Sequence, residues 1–206
     1  MKNVLVINMG LKSIRSIIFN QNGLKLGSSS LAINTAINDK CVEQSPNEWW
    51  EKANTVIHKS LRDSGNPHID FITVTTSASC LVCIDENGNP LQRAFMVSDK
   101  RAEKETAEIK QMPEFDEVYK DTGLDLTSSL MLPKIYWLKK HMPDVFEKTE
   151  YFVTPNDFLI YKLTGRCVTD YFNAIKYHYD AGKKQYPVNL LKRMGIDANC
   201  LPDVKN

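Results

Sequence analysis

The sequence predicts an α/β or α+β fold, with strands mainly in the first part of the chain and helices mainly in the second. Two observations lead to this prediction. Short β-branched runs bounded by turn residues come first, and capped segments with apolar residues at helical spacing follow them. Apolar and charged residues make up 42% and 25% of the 206 residues, as in globular proteins with a buried core. We therefore expect one domain.

The chain is predicted to open with three antiparallel strands. Residues 3–8 and 14–19 are apolar, β-branched runs, and the turn-prone stretch MGLKS separates them. The dipeptide Asn22-Gly23 predicts a second hairpin turn, because both residue types tolerate the positive φ of tight turns. The third strand is expected within the sequence GLKLGSSSLAI that follows.

The first predicted helix starts at SPNE, residues 45–48. Ser45 is expected to cap it, Pro46 suits its first position, and Glu48 is expected to reach back and complete a capping box. Gly65 is expected to end it. Apolar side chains at helical spacing predict one buried face, formed by Trp49, Ala53, Val56, Ile57 and Leu61.

The remaining elements follow from similar signals. Residues 71–76 and 80–85 are predicted strands, and Asn87-Gly88 predicts a hairpin turn after the second. The polar stretch 98–110 is predicted to be an exposed helix. Further helices are predicted over residues 133–141, before Pro143, and from the capping sequence TPND (154–157) to Gly165.

Charge and hydropathy argue against several classes of function. There are 26 Lys and Arg residues against 25 Asp and Glu, so no field of one sign attracts nucleic acid or an anionic membrane. No apolar run approaches the length of a membrane span, and the opening MKNVLVINMGLK is unlike a signal peptide. These patterns predict a cytoplasmic protein with no nucleic-acid or membrane partner.

Cysteine and histidine patterns predict no metal site, and no catalytic role is assigned to any histidine. The five cysteines include one CxxC, Cys80 and Cys83, but it lies in the apolar run SCLVCID and has no second pair. We expect both thiols to be packed in a strand. Motifs of the Gly-x-Ser-x-Gly and Walker types are absent from the sequence, which argues against hydrolase and P-loop functions.

Six segments in the same order resemble the first domain of FGGY carbohydrate kinases, the family that includes glycerol, xylulose, ribulose and gluconate kinases. Each alone is a weak signal, but their collinear order is strong. The LPKIYW segment looks slightly more like the ketopentose kinases. The segments are INMGLKSIRSIIFNQNG (7–23), CVEQSPNEWW (41–50), CIDENGNPL (83–91), SDKRAEKE (98–105), TGLDL (122–126) with MLPKIYWLKKHMPDVF (131–146), and YFVTPNDFLIYKLTGRCVTDYFNA (151–174).

The resemblance implies a ribonuclease H-like fold of the actin-like ATPase superfamily, with a mixed sheet, an initial antiparallel hairpin and flanking helices. It implies ATP and Mg²⁺ as cofactors and a sugar or polyol as substrate. The family's base, an aspartate in a glycine-rich segment, would lie beyond LPDVKN, so residues 1–206 are expected to be a truncated sugar-binding domain. Without its C-terminal ATP-binding domain, the chain alone is expected to be inactive, and a homodimer is left open.

The resemblance also assigns a phosphate-binding and magnesium-binding role to the first hairpin. Gly10 is expected to permit a tight turn, and the cations and hydroxyl beside it would face phosphate oxygens. The family has aspartate at position 8 and threonine at position 11, so Asn8 removes a charge from a hard-cation site and Leu11 a hydroxyl. An ordinary polar hairpin without a ligand is the alternative. The assigned residues are Asn8, Gly10, Lys12, Ser13 and Arg15.

A second set is assigned to the sugar. Ser77, Ala78 and Ser79 occupy the place where xylulose kinases carry glutamine, methionine and histidine, which predicts a wider or wetter pocket. Asp99 and Arg101 match the family's D-x-R, and Val97 stands in place of a tryptophan. The alternative makes Asp99 a helix cap and Arg101 a solvated residue of the first turn. Asp170 likewise matches a family motif but also suits a structural turn.

Three functional hypotheses remain at this point. The leading one is a carbohydrate kinase whose catalytic aspartate lies outside this sequence. Changes at several family positions favour instead a pseudokinase that binds a sugar or a partner without catalysis: Asn8, Leu11, Ala78, Ser79 and Val97. An actin-like or chaperone-like ATPase would share the hairpin, but VEQSPNEWW and LTGRCVTD argue against it.

Overall fold

A computed structural model describes residues 2–205 and groups them into two compact units. The first unit contains the residues up to Thr35 together with Ser45–Ser77, and the second contains Ala36–Gln44 together with the residues from Ala78 onward. Both lie within the span assigned to one domain, and that assignment stays a prediction. No helix within residues 2–205 is long and apolar enough to cross a membrane.

Most strands lie in the first half of the chain and most helices in the second, as the sequence predicted. The strands are β1 (Asn3–Met9), β2 (Ser13–Asn20), β3 (Lys25–Ala32), β4 (Ala36–Asn38), β5 (Cys41–Gln44), β6 (Phe71–Thr76), β7 (Val82–Ile84), β8 (Ala94–Phe95), β9 (Tyr151–Val153), β10 (Val168–Thr169) and β11 (Asp203–Val204). The helices are α1 (Pro46–Asp63), α2 (Glu103–Lys110), α3 (Pro113–Thr122), α4 (Met131–His141), α5 (Pro143–Lys148), α6 (Pro155–Thr164), α7 (Tyr171–Ala174) and α8 (Val188–Met194).

The first unit is a mixed four-stranded sheet with one helix on it. The strand order is β3-β2-β1-β6, in which β1 pairs antiparallel with β2 and parallel with β6. The prediction of three opening antiparallel strands is confirmed. Helix α1 packs on β2 and β3, and the buried hydroxyls of Ser16 and Ser60 are 2.8 Å apart across this contact.

Helix α1 begins as predicted, but its capping differs in one detail. The Ser45 hydroxyl accepts a hydrogen bond from the Glu48 amide, which confirms the cap. The predicted return contact from Glu48 is wrong. Its carboxylate instead accepts from the Asn34 side chain at 2.7 Å and from Lys52 one turn further along. A cation at i+4 and a neighbouring amide have outcompeted the backbone of the cap.

The second unit combines three small sheets with the remaining helices. Strands β4, β5 and β8 form one antiparallel sheet, β7 pairs with β9, and β10 pairs with β11. The strand predicted over 80–85 is shorter, covering Val82–Ile84, but Cys80 and Cys83 are fully buried as expected. All five cysteines are free thiols, and burial raises the pKa of Cys83 to about 12. Cys80 and Cys83 are therefore core residues.

Two further predictions concern helices of this unit. The predicted start of α6 is confirmed, because Thr154 and Asp157 exchange both hydrogen bonds of a capping box and Gly165 adopts the left-handed conformation at the end. The exposed helix predicted over 98–110 is wrong in two respects. Helix α2 begins only at Glu103, and residues 98–102 form turns that contain the buried Asp99. The carboxylate of Asp99 accepts hydrogen bonds that hold this turn in place, as described below.

Candidate functional site

The first hairpin is held by backbone hydrogen bonds, and Leu11, Lys12 and Arg15 are exposed at its tip. Asn8 lies opposite Arg15 in the β1–β2 register. The amide of Gly10 donates to the Ser13 carbonyl at 2.9 Å, and the Ile33 amide donates to the Lys12 carbonyl at 3.0 Å. These backbone hydrogen bonds hold the shape of the tip.

The predicted phosphate-binding residues form a polar, positively charged tip. Lys12 and Arg15 are exposed, whereas Asn8 and Ser13 are half-buried. The Arg15 Nε lies 3.4 Å from the Ser13 hydroxyl, so these two side chains lie together on one strand. Two cations, one hydroxyl and the hairpin amides make a suitable donor set for phosphate oxygens.

Gly10 does not have the role that the sequence predicted. The tight turn does not require glycine, because its φ lies outside the left-handed region. A Cβ at this position would meet only the Ser13 carbonyl oxygen, at 3.9 Å. The space above Gly10 is open, so what glycine provides here is room for the close approach of another group. Leu11, next to it, is 45% exposed.

Ser77 lies in the same unit and next to the same hairpin. Its amide donates to the carbonyl of Met9 at 3.1 Å, immediately before Gly10. Thr75, two residues earlier, pairs with Asn8 in the parallel register of β1 and β6. The first unit thus brings the predicted phosphate hairpin and the first predicted sugar residue to one end of the sheet.

The other predicted sugar residues belong to the second unit. Ala78 is half-buried, and Ser79 is almost fully buried with a left-handed backbone, φ +62°. A non-glycine residue with this φ is uncommon and is strained unless its surroundings hold it. The Ser79 carbonyl accepts a hydrogen bond of 2.6 Å from the ammonium group of Lys134. The segment is therefore fixed from inside the unit.

Asp99 and Arg101 form a buried ion pair rather than an exposed helix start. Arg101 donates through Nε and through its terminal nitrogen to the two Asp99 oxygens, at 2.9 and 2.8 Å, and to Glu43 at 2.6 Å. Its guanidinium carbon lies 3.7 Å from the centre of the Phe95 ring. Burial lowers the pKa of Arg101, but the hydrogen bonds to Asp99 and Glu43 outweigh it and the net shift is upward.

The interpretation of Asp99 as a helix cap and of Arg101 as solvated is therefore wrong. The backbone N-cap of α2 is Ala102, and Asp99 accepts instead from the Val42 amide of β5 at 2.7 Å. Both charged groups already form hydrogen bonds with other groups of the protein. Direct contact of either residue with a sugar stays a prediction, but a supporting role beneath a binding surface fits the geometry better.

Lys134 is the residue of this region that the sequence interpretation missed. It is fully buried on α4, and its ammonium donates to the carbonyls of Ser79, Met96 and Ser129 at 2.6, 2.9 and 3.0 Å. Burial lowers its pKa to about 8, against the attraction of Cys80 and Asp99. A signal existed in the sequence, because this lysine shares the apolar helix face of Met131, Ile135 and Leu138.

Two aspartates of the second unit have mainly structural contacts. Asp157 accepts from the amide and the hydroxyl of Thr154, at 2.9 and 2.7 Å, and burial raises its pKa to about 7. Asp170 caps α7 by accepting from the Asn173 amide at 2.9 Å and from its side chain at 2.8 Å. The structural turn role considered for Asp170 is the one observed.

A cavity of about 280 Å³ lies beside α3 and α8, away from the predicted sugar residues of its unit. His178 lines it, is almost fully buried, and has its pKa lowered to about 4 by that burial. The ring is therefore neutral at physiological pH. Among residues 2–205, no group of three or more His, Cys, Asp or Glu residues is placed to hold a metal ion.

Comparisons with known proteins match almost the whole chain to sugar and polyol kinases. A xylulose kinase of Staphylococcus xylosus is 27% identical over 206 residues, covering 99% of this chain and 43% of the relative. A glycerol kinase of Thermococcus onnurineus is 33% identical over 211 residues, covering 98% and 42%. The solved xylulose kinase of Rhodospirillum rubrum superposes with a TM-score of 0.92 at 22% identity, covering 99% of this chain and 43% of that one.

The fold assigned from the resemblance is therefore confirmed, and the chain spans less than half the length of these relatives. The slight preference for ketopentose kinases is not decided, because xylulose and glycerol kinases both match over nearly all of the chain. The sequence model of the FGGY family of carbohydrate kinases, N-terminal domain, matches residues 3–206. The chain therefore belongs to the FGGY family of carbohydrate kinases.

Proposed function

We propose that this chain is the sugar-binding half of an ATP-dependent kinase that phosphorylates a hydroxyl group of a sugar or polyol. The match to the family over residues 3–206 carries this proposal. The active enzyme would contain a second half that binds most of the nucleotide and supplies the catalytic base. Phosphoryl transfer needs mainly positioning and charge neutralisation, which two halves of a protein can supply jointly.

The hairpin tip supports a phosphate-binding role for this half. Lys12 and Arg15 are exposed cations, and Gly10 leaves room for close approach to the backbone. These groups would hold a terminal phosphate oxygen of ATP and offset its charge during transfer. Mg²⁺ at this tip would be held mainly by phosphate and water oxygens, because position 8 offers the neutral amide of Asn8 in place of a carboxylate. No step of the proposed function depends on a metal held by this chain.

Ser77 and Ala78 are the residues we propose to present to the sugar. Both are half-buried, and Ser77 is anchored to the carbonyl of Met9. A serine hydroxyl beside backbone groups can form hydrogen bonds with sugar hydroxyls, and small side chains leave space for them. Ser79 is buried, so we assign it to the support of this segment.

The direct test is a coupled assay of ADP formation, using the protein expressed from its complete reading frame, against a panel of polyols, ketoses and sugar acids. We expect turnover that depends on one class of sugar, and negligible turnover from residues 1–206 alone. If no member of the panel supports ADP formation but a sugar still raises the melting temperature, the pseudokinase alternative is favoured. ATP hydrolysis that ignores every sugar would favour an ATPase module.

Asn8 provides a second test, because its neutral amide stands where the family has an aspartate. It faces Arg15 across the hairpin, so a carboxylate there would be tolerated. We expect Asn8→Asp to lower the Mg²⁺ concentration that gives half-maximal turnover, because a hard cation prefers carboxylate oxygens. Asn8→Ser is the matched uncharged control. Turnover in neither the native protein nor Asn8→Asp would contradict the kinase proposal.

A further inference from the structure

The ammonium of Lys134 joins three chain segments of the second unit through hydrogen bonds to their backbones. Ser79 precedes β7, Met96 follows β8, and Ser129 precedes α4, and the ammonium of Lys134 donates to the carbonyl of each. All three acceptors are neutral backbone groups. The lysine therefore acts as a three-way clamp on loops, and it places the ends of the Ala78–Ser79 segment and of the turn that leads into Asp99.

A buried ammonium is a costly way to hold a fold. Transferring it from water carries a large desolvation penalty, and a well-packed apolar side chain would fill the same space without one. Lys134 is fully buried, and the two charged groups Asp99 and Arg101 that act on it already pair with each other. A buried lysine of this kind is better suited to fixing the geometry of the backbone than to adding stability.

The strongest of its three hydrogen bonds acts on a strained residue. The bond to Ser79 is the shortest, at 2.6 Å, and Ser79 is one of the five non-glycine residues with positive φ among those described. This φ fixes the direction in which Ala78 leaves the core. If the clamp were absent, Ser79 would relax toward an ordinary backbone conformation and Ala78 would move with it.

We propose that Lys134 is a positioning residue for the sugar-binding segment, holding the left-handed backbone of Ser79 so that Ala78 faces the substrate. This inference rests on the proposed function. It adds Lys134, which lies in the LPKIYW segment and is not among the residues assigned to phosphate or sugar. Its chemical role is donation to carbonyls, so neither an apolar residue nor a carboxylate can replace it.

Lys139 supplies a matched control on the same helix. Its ammonium also donates to two backbone carbonyls, those of Met194 and Gly195 at 2.8 and 2.9 Å. These lie at the end of α8, not near Ala78 or Ser79. Lys139→Met therefore removes the same kind of interaction from the same helix without affecting the sugar-binding segment.

The test compares Lys134→Met with Lys139→Met in the protein expressed from its complete reading frame. We expect Lys134→Met to raise the KM for the sugar about tenfold or more with little change in the KM for ATP, and Lys139→Met to change neither. Hydrogen–deuterium exchange should increase in the peptide covering residues 77–81 of Lys134→Met only. An unchanged sugar KM in an active Lys134→Met protein would overturn the proposal.

A wild-type measurement keeps the proposal testable if Lys134→Met does not fold. The neutral amine has only two N–H donors for three carbonyls, so the sugar KM should rise above pH 8 and the KM for ATP should not. Among the groups facing the amine, Cys80 and Arg101 have raised pKa values and Asp99 is held in its ion pair, so Lys134 is the group expected to titrate in this window. A sugar KM that is flat from pH 7 to about 9.5 would overturn it. No turnover with any sugar would refute the proposed function itself, and this inference with it.

Discussion

The two regions that the sequence marked as functional differ in how their charges are used. At the hairpin tip of the first unit, Lys12 and Arg15 are exposed, and backbone hydrogen bonds hold the turn. In the second unit, Asp99, Arg101 and Lys134 are buried and form hydrogen bonds with other groups of the protein. The first arrangement leaves donors available for a ligand, whereas the second can influence a ligand only through the segments it holds.

This difference distinguishes residues available to contact a ligand from residues that support the fold, although both kinds match a family motif. A family motif identifies positions where a residue type is required, but it does not say whether the requirement is contact or support. Burial and hydrogen-bond partners make that distinction, because a satisfied buried ion pair has little capacity left for a substrate. The comparison predicts that equal substitutions in the two regions have very unequal effects on stability.

The largest expected effect comes from replacing the same residue type in both regions. Arg101→Met would leave the buried carboxylate of Asp99 without its cation, and we expect the free energy of unfolding to fall by about 3–5 kcal/mol. Arg15→Met, at the exposed hairpin, should change it by less than about 0.5 kcal/mol. Urea denaturation of both variants measures this. Equal losses would break the comparison.

A second prediction tests how one buried carboxyl group changes the stability of the fold with pH. The pKa of Asp157 is raised by burial from 3.8 to about 7, so the folded state binds its proton more tightly than the unfolded state. The stability due to this group is therefore complete below pH 4 and is lost as pH rises through about 7, by roughly 2–4 kcal/mol. Asp157→Asn keeps an acceptor for Thr154 and should abolish that loss.

The pH dependence is measured as the free energy of unfolding from pH 4 to 8, always as the difference between variant and native chain. Subtracting the native values removes the contribution of every other titrating group. Asp144→Asn is the control, because Asp144 is an exposed carboxylate in the first turn of α5. If Asp157→Asn followed the same pH dependence as the native chain, the buried carboxylate would not be the source.

Local signals in the sequence were sufficient for much of the fold. The opening hairpins, the start of α1 and both ends of α6 depend on turn and capping residues within a few positions of one another. The parallel pairing of β1 with β6 joins segments more than sixty residues apart, as in Val4 with Phe71. Nothing local encodes that pairing, and the family resemblance implied only that the sheet is mixed.

Less of the candidate site than of the fold could be predicted from the sequence. The cations of the hairpin were assigned through the family resemblance; they are exposed, and their role stays a prediction. Lys134 was missed because its partners are carbonyls of residues 79, 96 and 129, which have no side-chain signature. Asp99 was misplaced for the related reason that its acceptor role serves the amide of Val42, far away in sequence.

The smallest effects are expected from two glycines of the first unit, which test whether the hairpin tip is reserved for a ligand. A Cβ at Gly27 would lie 2.8 Å from the Ser60 carbonyl oxygen, so Gly27→Ala must push α1 away and should cost about 1–3 kcal/mol. Gly10→Ala meets open space and should change stability by less than about 0.5 kcal/mol.

If the open space at Gly10 serves a phosphate group, Gly10→Ala should nevertheless raise the KM for ATP, measured in the protein from the complete reading frame. Gly27→Ala should lower the melting temperature and leave that KM unchanged. The opposite assignment, a destabilised Gly10→Ala with normal kinetics, would mean that the turn needs glycine after all. The hairpin would then be a structural turn, and the contrast between the two regions would lose its functional meaning.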